Sequence, residues 1–149
     1  MQFFGRCWHP DSVVLCEASE IVEAEVIKRT QLNDLTTQQL VERFLQIALQ
    51  QYDALQKGKT ADHNRLYDIM EDVKSELKRR PGDQRNALLP LLDHTNAQVR
   101  LKAAYTLLAI SPIRAKKALE TVRDSRIAPQ SVNAGFMLEA LADGSYVPS

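Results

Sequence analysis

The sequence predicts an all-α protein, a short α-α superhelix of stacked helical hairpins that follows an irregular N-terminal segment. From residue 35 onward, apolar residues recur at helical spacing in successive segments. Short turns that contain Gly, Pro or a helix-capping residue separate these segments. Strand-like alternation is nearly confined to the first 33 residues. We therefore divide the chain into an N-terminal segment, 1–34, and a helical domain, 35–149.

The N-terminal segment contains two small apolar clusters with Gly, Pro and Asp between them, in MQFFGRCWHPDSVVLCE. This pattern indicates irregular structure or a short hairpin. The following stretch, ASEIVEAEVIKR, fits a helix because Ala18, Val22 and Val26 share one face. It also fits a strand, since apolar and acidic residues alternate within it. We favour the helix.

Cys7 and Cys16 are the only cysteines of the chain. Nothing in the sequence indicates an oxidising compartment, so we expect free thiols. His9 could join them as a third zinc ligand. Structural zinc sites use four ligands, usually with a C-x₂₋₄-C pair, and this spacing does not match. We predict no metal and no cofactor.

The first two predicted helices span residues 36–57 and 60–80. Thr36 and Gln39 form a capping-box pattern at the start of the first helix, which ends at Gly58. Thr60 is the predicted N-cap of the second helix, and Pro81 follows its end. The apolar stripes comprise Leu40, Phe44, Ala48, Tyr52 and Leu55 in the first helix, and Leu66, Ile69, Met70, Val73 and Leu77 in the second.

Four shorter helices are predicted after residue 82. Asp83 caps QRNALLPLL, in which Pro90 should bend the helix, and Asn96 caps AQVRLKAAYTLLAI. Ser111 caps the next helix, with Pro at its first position. The last helix, QSVNAGFMLEALAD, follows Pro129 and ends at Gly144. Val99, Ala103, Leu107 and Ile110 are the predicted inward stripe of the helix that begins after Asn96.

The charge and motif content favours a non-enzymatic protein. Lys plus Arg and Asp plus Glu both number 19, so the strongly basic balance typical of nucleic-acid binders is missing. His9, His63 and His94 lie apart in the sequence, and no catalytic constellation can be assembled from them. No apolar stretch approaches the roughly 20 residues that span a bilayer, and the N-terminus lacks a secretory signal pattern. We expect a cytoplasmic protein.

The charges are nevertheless polarised along the chain. Acids dominate between Asp11 and Glu42, whereas bases dominate between Arg100 and Arg126. We interpret most of these charges as solvated helix faces. The alternative is that one pole is a docking surface, because complementary potentials steer association and set specificity.

The predicted binding surface is the concave side, which the second helix of each hairpin lines in stacked helical repeats. Tyr105 is the strongest hot-spot candidate because it is a rigid aromatic residue with a polar tip. The alternative is that Tyr105 packs on a neighbouring helix with its hydroxyl in water. The full set of predicted partner-binding residues is Asp68, Glu71, Asp72, Glu76, Gln98, Lys102 and Tyr105.

Residues 88–110, LLPLLDHTNAQVRLKAAYTLLAI, resemble a HEAT repeat through the pattern LLPLL-D, VR, AA and L. The resemblance implies that Asp93 and Arg100 are structural residues that pair and tie the turn to the second helix. The stretch from Ala118 to Leu141 resembles a degenerate following repeat. In it Val132 stands near the place of Val99, and Asn133 replaces the Arg.

The segment from about residue 35 to 142 resembles, in its organisation, a bacterial family of small HEAT-like domains of unknown function. Such families often occur beside polymorphic or secretion-system toxins. The resemblance implies a protein-binding module that acts as an immunity protein and neutralises a cognate bacterial toxin. A general scaffold is the first alternative, and a nucleic-acid-binding HEAT-like protein is the second. A toxin gene beside this one would favour immunity over a scaffold, and retention on heparin would favour nucleic-acid binding.

Overall fold

The computed structural model describes residues 31–149. The chain divides into two units, Met1–Leu35 and Thr36–Ser149, and the fold described below is that of the second. Our expectations for Cys7, His9 and Cys16, and for the stretch 18–29, lie outside the described residues.

The unit Thr36–Ser149 consists of five α-helices and one 3₁₀ helix. Over residues 31–149 the backbone forms no strand, which confirms the predicted all-α class. The elements are α1 (Thr37–Gln56), α2 (Thr60–Arg79), the 3₁₀ helix η1 (Gln84–Asp93), α3 (Ala97–Leu107), α4 (Pro112–Asp124) and α5 (Gln130–Asp143).

Helices that are consecutive in the chain pack against each other. The most extensive contacts join α1 to α2, α4 to α5, and α3 to both η1 and α4. Contacts of α1 with η1 and α3 join the first hairpin to the second. Single helical hairpins cannot bury both of their apolar faces, and this layering covers them. The superhelical course of the layers stays a prediction.

The core contains most of the apolar stripes that helical spacing predicts. The members of these stripes that are only half-buried are Tyr52, Leu55, Leu66, Ile69 and Ile110. Phe44, Val73 and Leu77 are fully buried, and so are Val99 and Leu107. Stacking therefore places the apolar faces of all these helices in one interior. The largest fully buried apolar side chains are Phe44, Leu40, Leu77, Leu88, Leu101, Leu107, Leu108 and Leu119.

Of the predicted caps, those at Thr36 and Asn96 form as expected and that at Thr60 does not. The side chain of Thr36 accepts from the N–H of Gln39, whose own side chain accepts from the N–H of Thr36. Asn96 accepts from the first turn of α3. The prediction for Thr60 is wrong because Thr60 is itself the first helical residue. The N-cap is Lys59, which makes no capping bond through its side chain.

The segment after Asp83 is helical as predicted, but it is a ten-residue 3₁₀ helix rather than a bent α-helix. Asp83 has a φ of 48° and accepts from the N–H of Arg85. Pro90 lies inside this helix and has no N–H for an α-helical bond to the carbonyl of Asn86. The tighter winding still buries Leu88, the main apolar anchor of this segment.

Candidate functional site

Side chains from α2, α3 and α5 line a pocket of about 210 Å³. We call it the lysine pocket, after Lys102. It brings together three residues that the sequence analysis placed on the binding surface, Glu71, Lys102 and Tyr105. The complete lining is Tyr67, Met70, Glu71, Lys74, Lys102, Tyr105, Thr106, Met137 and Tyr146.

Lys102 lies between two aromatic rings. Its Nζ is 5.2 Å from the ring centre of Tyr67 and 5.9 Å from that of Tyr105. Both distances are within the range of cation–π attraction. Burial lowers the pKa of the Lys102 ammonium, and the nearby charge of Lys74 lowers it further, whereas Glu71 opposes this shift. The positive charge of Lys102 is thus partly desolvated, and the two aromatic rings lie within range to attract it.

Tyr105 is half-buried and ties α3 to α5. Its hydroxyl donates to the backbone oxygen of Asn133 at 3.0 Å. Burial, with a smaller contribution from Tyr146, raises the pKa of Tyr105 to about 12. Tyr105 therefore packs on the neighbouring helix, as the alternative interpretation held, but its hydroxyl bonds to protein and its ring still lines the pocket.

The predicted acidic residues of α2 divide into accessible and buried groups. Asp68 is exposed, whereas Glu71 and Asp72 are half-buried. The Glu71 carboxylate accepts from Lys74 at 2.9 and 3.2 Å. Of these three acids, Glu71 lines the lysine pocket, and Asp68 is the one that is exposed to solvent.

Glu76 does not belong to this surface, and our prediction of an outward position is wrong. The residue is only 8% exposed. It follows Val73 by three residues and precedes Leu77, so it lies on the flank of the buried face. Arg79 and Arg80 both bond to its carboxylate, with 2.9 Å between Arg80 Nε and Glu76 Oε1. Burial alone would raise the pKa of Glu76, but hydrogen bonds from Arg80 and Arg79 hold it below its ordinary value.

Gln98 is also placed wrongly by the sequence analysis, because it is 2% exposed rather than outward. Its Nε2 donates to Gln51 Oε1 at 3.0 Å, and its Oε1 accepts from Gln130 Nε2 at 3.1 Å. This glutamine ladder joins α1, α3 and α5 through the core. Gln51 and Gln130 were not anticipated, since glutamine is usually exposed and helical spacing does not distinguish a buried one.

Asp93 and Arg100 do not form the predicted ion pair in the described residues, 31–149. Asp93 is exposed and lines a separate groove of about 290 Å³ with Arg114 and Lys117. Arg100 is half-buried, and its Nε has no hydrogen-bond partner within the described chain. The structure thus contradicts the pairing. The turn is closed by other groups, because Asn96 caps α3 and its own N–H donates to His94 Nδ1.

Sequence reasoning missed several residues of the lysine pocket. Tyr67, Glu71 and Lys74 are spaced by four and three residues, so they share one face of α2. That spacing could have added Tyr67 and Lys74 to the prediction. Tyr146 lies beyond the end of α5, where no periodicity exists, and only the folded chain brings it to the pocket.

Within the described part of the chain, no group of three or more His, Cys, Asp and Glu side chains could hold a metal ion. None of the helices there is both long and apolar enough to cross a membrane. The expected absence of a cofactor stays a prediction.

Comparisons with known proteins place this arrangement in a family. None of the curated proteins matches the chain. The chain is similar to the protein RPA1889 from Rhodopseudomonas palustris CGA009, known from a crystal structure. The two sequences are 42% identical, the match covers 79% of this chain and 98% of that one, and the TM-score is 0.77. Residues 38–142 match the family described as Domain of unknown function (DUF2019). The chain therefore belongs to the DUF2019 family.

Proposed function

We propose that this domain is a non-enzymatic protein-binding module and that the lysine pocket is the centre of its binding surface. The observation that carries the proposal is the convergence of Lys102 with Tyr67, Tyr105 and Tyr146 at one pocket. Tyr67 is 46% exposed and Tyr146 is 38% exposed. Tyrosine is enriched at protein interfaces and among the residues that dominate binding energy.

The size and chemistry of the pocket support a binding role over a catalytic one. Its volume of about 210 Å³ is below the roughly 300–1,000 Å³ of small-molecule and cofactor sites. Glu71 is engaged by Lys74, and the Tyr105 hydroxyl is engaged by a backbone oxygen. These groups are held in structural bonds, which favours a rigid recognition surface.

The acidic residues beside the pocket would contribute mainly to the rate of association. Asp68 is exposed, and Asp72 lies one turn further along α2. Charges at the rim of an interface steer diffusional encounter more than they add affinity. A partner with a basic patch next to its contact residues would suit this arrangement.

The specific role that we propose for the module is that of an immunity protein, which binds and neutralises a cognate bacterial toxin. Its support is the likeness of residues 35–142 in organisation to small HEAT-like domains that occur beside toxins. Co-expression with a toxin encoded next to this gene tests the role directly. Restored growth supports the role. The role is contradicted if the toxin still kills the cells and does not bind the domain.

Site-specific photocrosslinking tests the binding module without assuming the partner. A benzophenone amino acid replaces Tyr67 at the lysine pocket, and a matched variant carries it at Ile113, which is 84% exposed on α4. After irradiation of the native cells, we expect one discrete crosslinked protein from position 67 and none from position 113. The same products from both positions, or none from position 67, would contradict the proposed surface.

The captured partner then allows an affinity measurement. Tyr67→Ala should weaken binding by about 30-fold, which corresponds to the roughly 2 kcal/mol that defines a hot spot. Ile113→Ala is the matched control and should leave affinity unchanged. Equal affinities for the two variants would move the interface away from the lysine pocket.

A further inference from the structure

We infer that the lysine pocket is a receptor for a single acidic side chain of the protein partner, with Lys102 as the residue that pairs with its carboxylate. The inference rests on the proposed protein-binding function and names the chemistry of the contact. It uses the position of Lys102, the charge balance of the pocket and the size of the cavity.

Lys102 has a positive charge that the described part of the chain does not neutralise by direct contact. The ion pairs of residues 31–149 do not include it, and its Nζ lies 5.2 Å from the ring centre of Tyr67 and 5.9 Å from that of Tyr105. An ammonium that is half-buried between aromatic rings has lost part of its hydration. A carboxylate that enters the pocket would therefore meet a cation that is already partly desolvated, and the charge-assisted bond would be strong.

Glu71, the one acidic residue in the pocket lining, acts on Lys102 through its charge but forms its ion pair with Lys74. Glu71 is bound by Lys74, with 2.9 Å between Lys74 Nζ and Glu71 Oε2. With Lys102 included, the lining has two cations and one anion. The pocket thus keeps one positive charge for a ligand, and charge complementarity selects an anion.

The remaining lining suits a side chain more than a free inorganic anion. Met70 and Met137 supply apolar surface beside the aromatic rings. These groups can pack against the methylene groups of a glutamate while its carboxylate reaches Lys102. A cavity of about 210 Å³ has room for one such side chain and is small for a cofactor.

The interaction can be tested without the partner, so its failure is distinguishable from failure of the proposed function. The probes are two capped tripeptides, N-acetyl-Gly-Glu-Gly-amide and its glutamine isostere. Each is titrated into ¹⁵N-labelled full-length protein while the amide signals of Lys102, Tyr105 and Thr106 are followed by NMR. We expect saturable shifts with the glutamate peptide and binding weaker by about tenfold or more with the glutamine peptide.

Two protein variants and two simple anions complete the experiment. Lys102→Met should abolish the saturable shifts, whereas Lys117→Met, an exposed lysine on α4, should keep them. Tyr67→Ala should weaken binding of the glutamate peptide several-fold. This variant is the second test if Lys102→Met does not fold. Equal binding of the two peptides, or unchanged binding to Lys102→Met or to Tyr67→Ala, overturns the inference. Acetate or inorganic phosphate that binds as tightly as the glutamate peptide also overturns it, because the pocket would then be a general anion site.

Discussion

At the scale of single residues, the partners of each polar side chain decide whether it is structural or available. Gln98 and Glu76 are buried with their hydrogen-bonding groups satisfied by protein, whereas Lys102 has aromatic neighbours and an open pocket. A buried polar group that loses its partner costs more free energy than its hydrogen bond contributes. Residues of the first kind should therefore affect the free energy of unfolding, and residues of the second kind should affect binding.

The glutamine ladder should make Gln98 important for stability. Gln98→Ala removes the hydrogen bonds of Gln98 to Gln51 and Gln130. It leaves those two buried amides without their partner in the core. We expect the free energy of unfolding to fall by about 2 kcal/mol or more, measured by urea denaturation. Gln46→Ala, at an exposed position of α1, is the control and should have little effect. Equal losses in the two variants would show that the ladder does not stabilise the fold.

Glu76 should make stability depend on pH in the acidic range. Its pKa is lowered in the folded chain, so its contribution is present above the unfolded pKa, about 4.3, and is lost as pH falls through the folded pKa. Glu76→Gln should therefore lower the free energy of unfolding by about 1–3 kcal/mol at pH 7. The deficit should shrink below about pH 4.

Denaturation curves between pH 3 and pH 7 measure this dependence. Glu139→Gln, at an exposed position of α5, should show a much smaller deficit throughout this range. A deficit in Glu76→Gln that stays constant with pH would mean that its carboxylate charge is not stabilising.

Asp93 and Arg100 should contribute to stability independently of each other. The two form no ion pair, and Asp93 lies with Arg114 and Lys117 instead. A double-mutant cycle with alanine at both positions should give an interaction energy within about 0.5 kcal/mol of zero, by urea denaturation. A coupling of about 1 kcal/mol or more would restore the pairing that the HEAT resemblance implies.

At the scale of helices and turns, sequence signals identify where an element begins more reliably than which residue caps it. The patterns at Thr36 and Asn96 form their expected bonds. Ser111 lies at the predicted N-cap of α4, but its side chain makes no capping bond. Polar residues at the N-cap position therefore differ in whether they form a capping hydrogen bond.

This difference can be measured directly. Asn96→Ala should lower the free energy of unfolding by about 1 kcal/mol because it removes the acceptor for two N–H groups of α3. Ser111→Ala should cost only a few tenths of a kcal/mol, since no capping bond is lost. Thermal denaturation of both variants under one set of conditions makes the comparison. A larger loss in Ser111→Ala than in Asn96→Ala would reverse the assignment of the caps.

At the scale of the whole molecule, the chain is neutral and its charges are polarised along the sequence. The basic residues of α4, among them Arg114 and Lys117, are exposed. Sequence-independent binding to nucleic acid depends on net neutralisation of phosphates. A neutral chain whose basic excess is concentrated in α3 and α4 should bind a polyanion weakly.

We therefore expect the protein to leave a heparin column in the low-salt wash at pH 7. Lysozyme, a strongly basic protein, is a suitable reference that should be retained. Retention of this chain into moderate salt would favour the nucleic-acid alternative. In that case the double variant Arg114→Glu, Lys117→Glu should elute earlier, since both residues line the groove beside Asp93.

The sequence by itself determined the all-α class, the approximate helix bounds, most of the buried stripes and the caps at Thr36, Asp83 and Asn96. These features depend on spacing and on interactions within a few residues, so local reasoning reaches them. Part of the lysine pocket could also be predicted from the sequence, because Glu71, Lys102 and Tyr105 were expected to face a partner. Only the tertiary structure decided that Glu76 and Gln98 are buried and that Asp93 lies apart from Arg100. A polar side chain becomes stable in the core through partners far away in the sequence, as Gln98 does with Gln51 and Gln130. The spacing of residues within a single helix cannot predict such partners, because they lie on other helices.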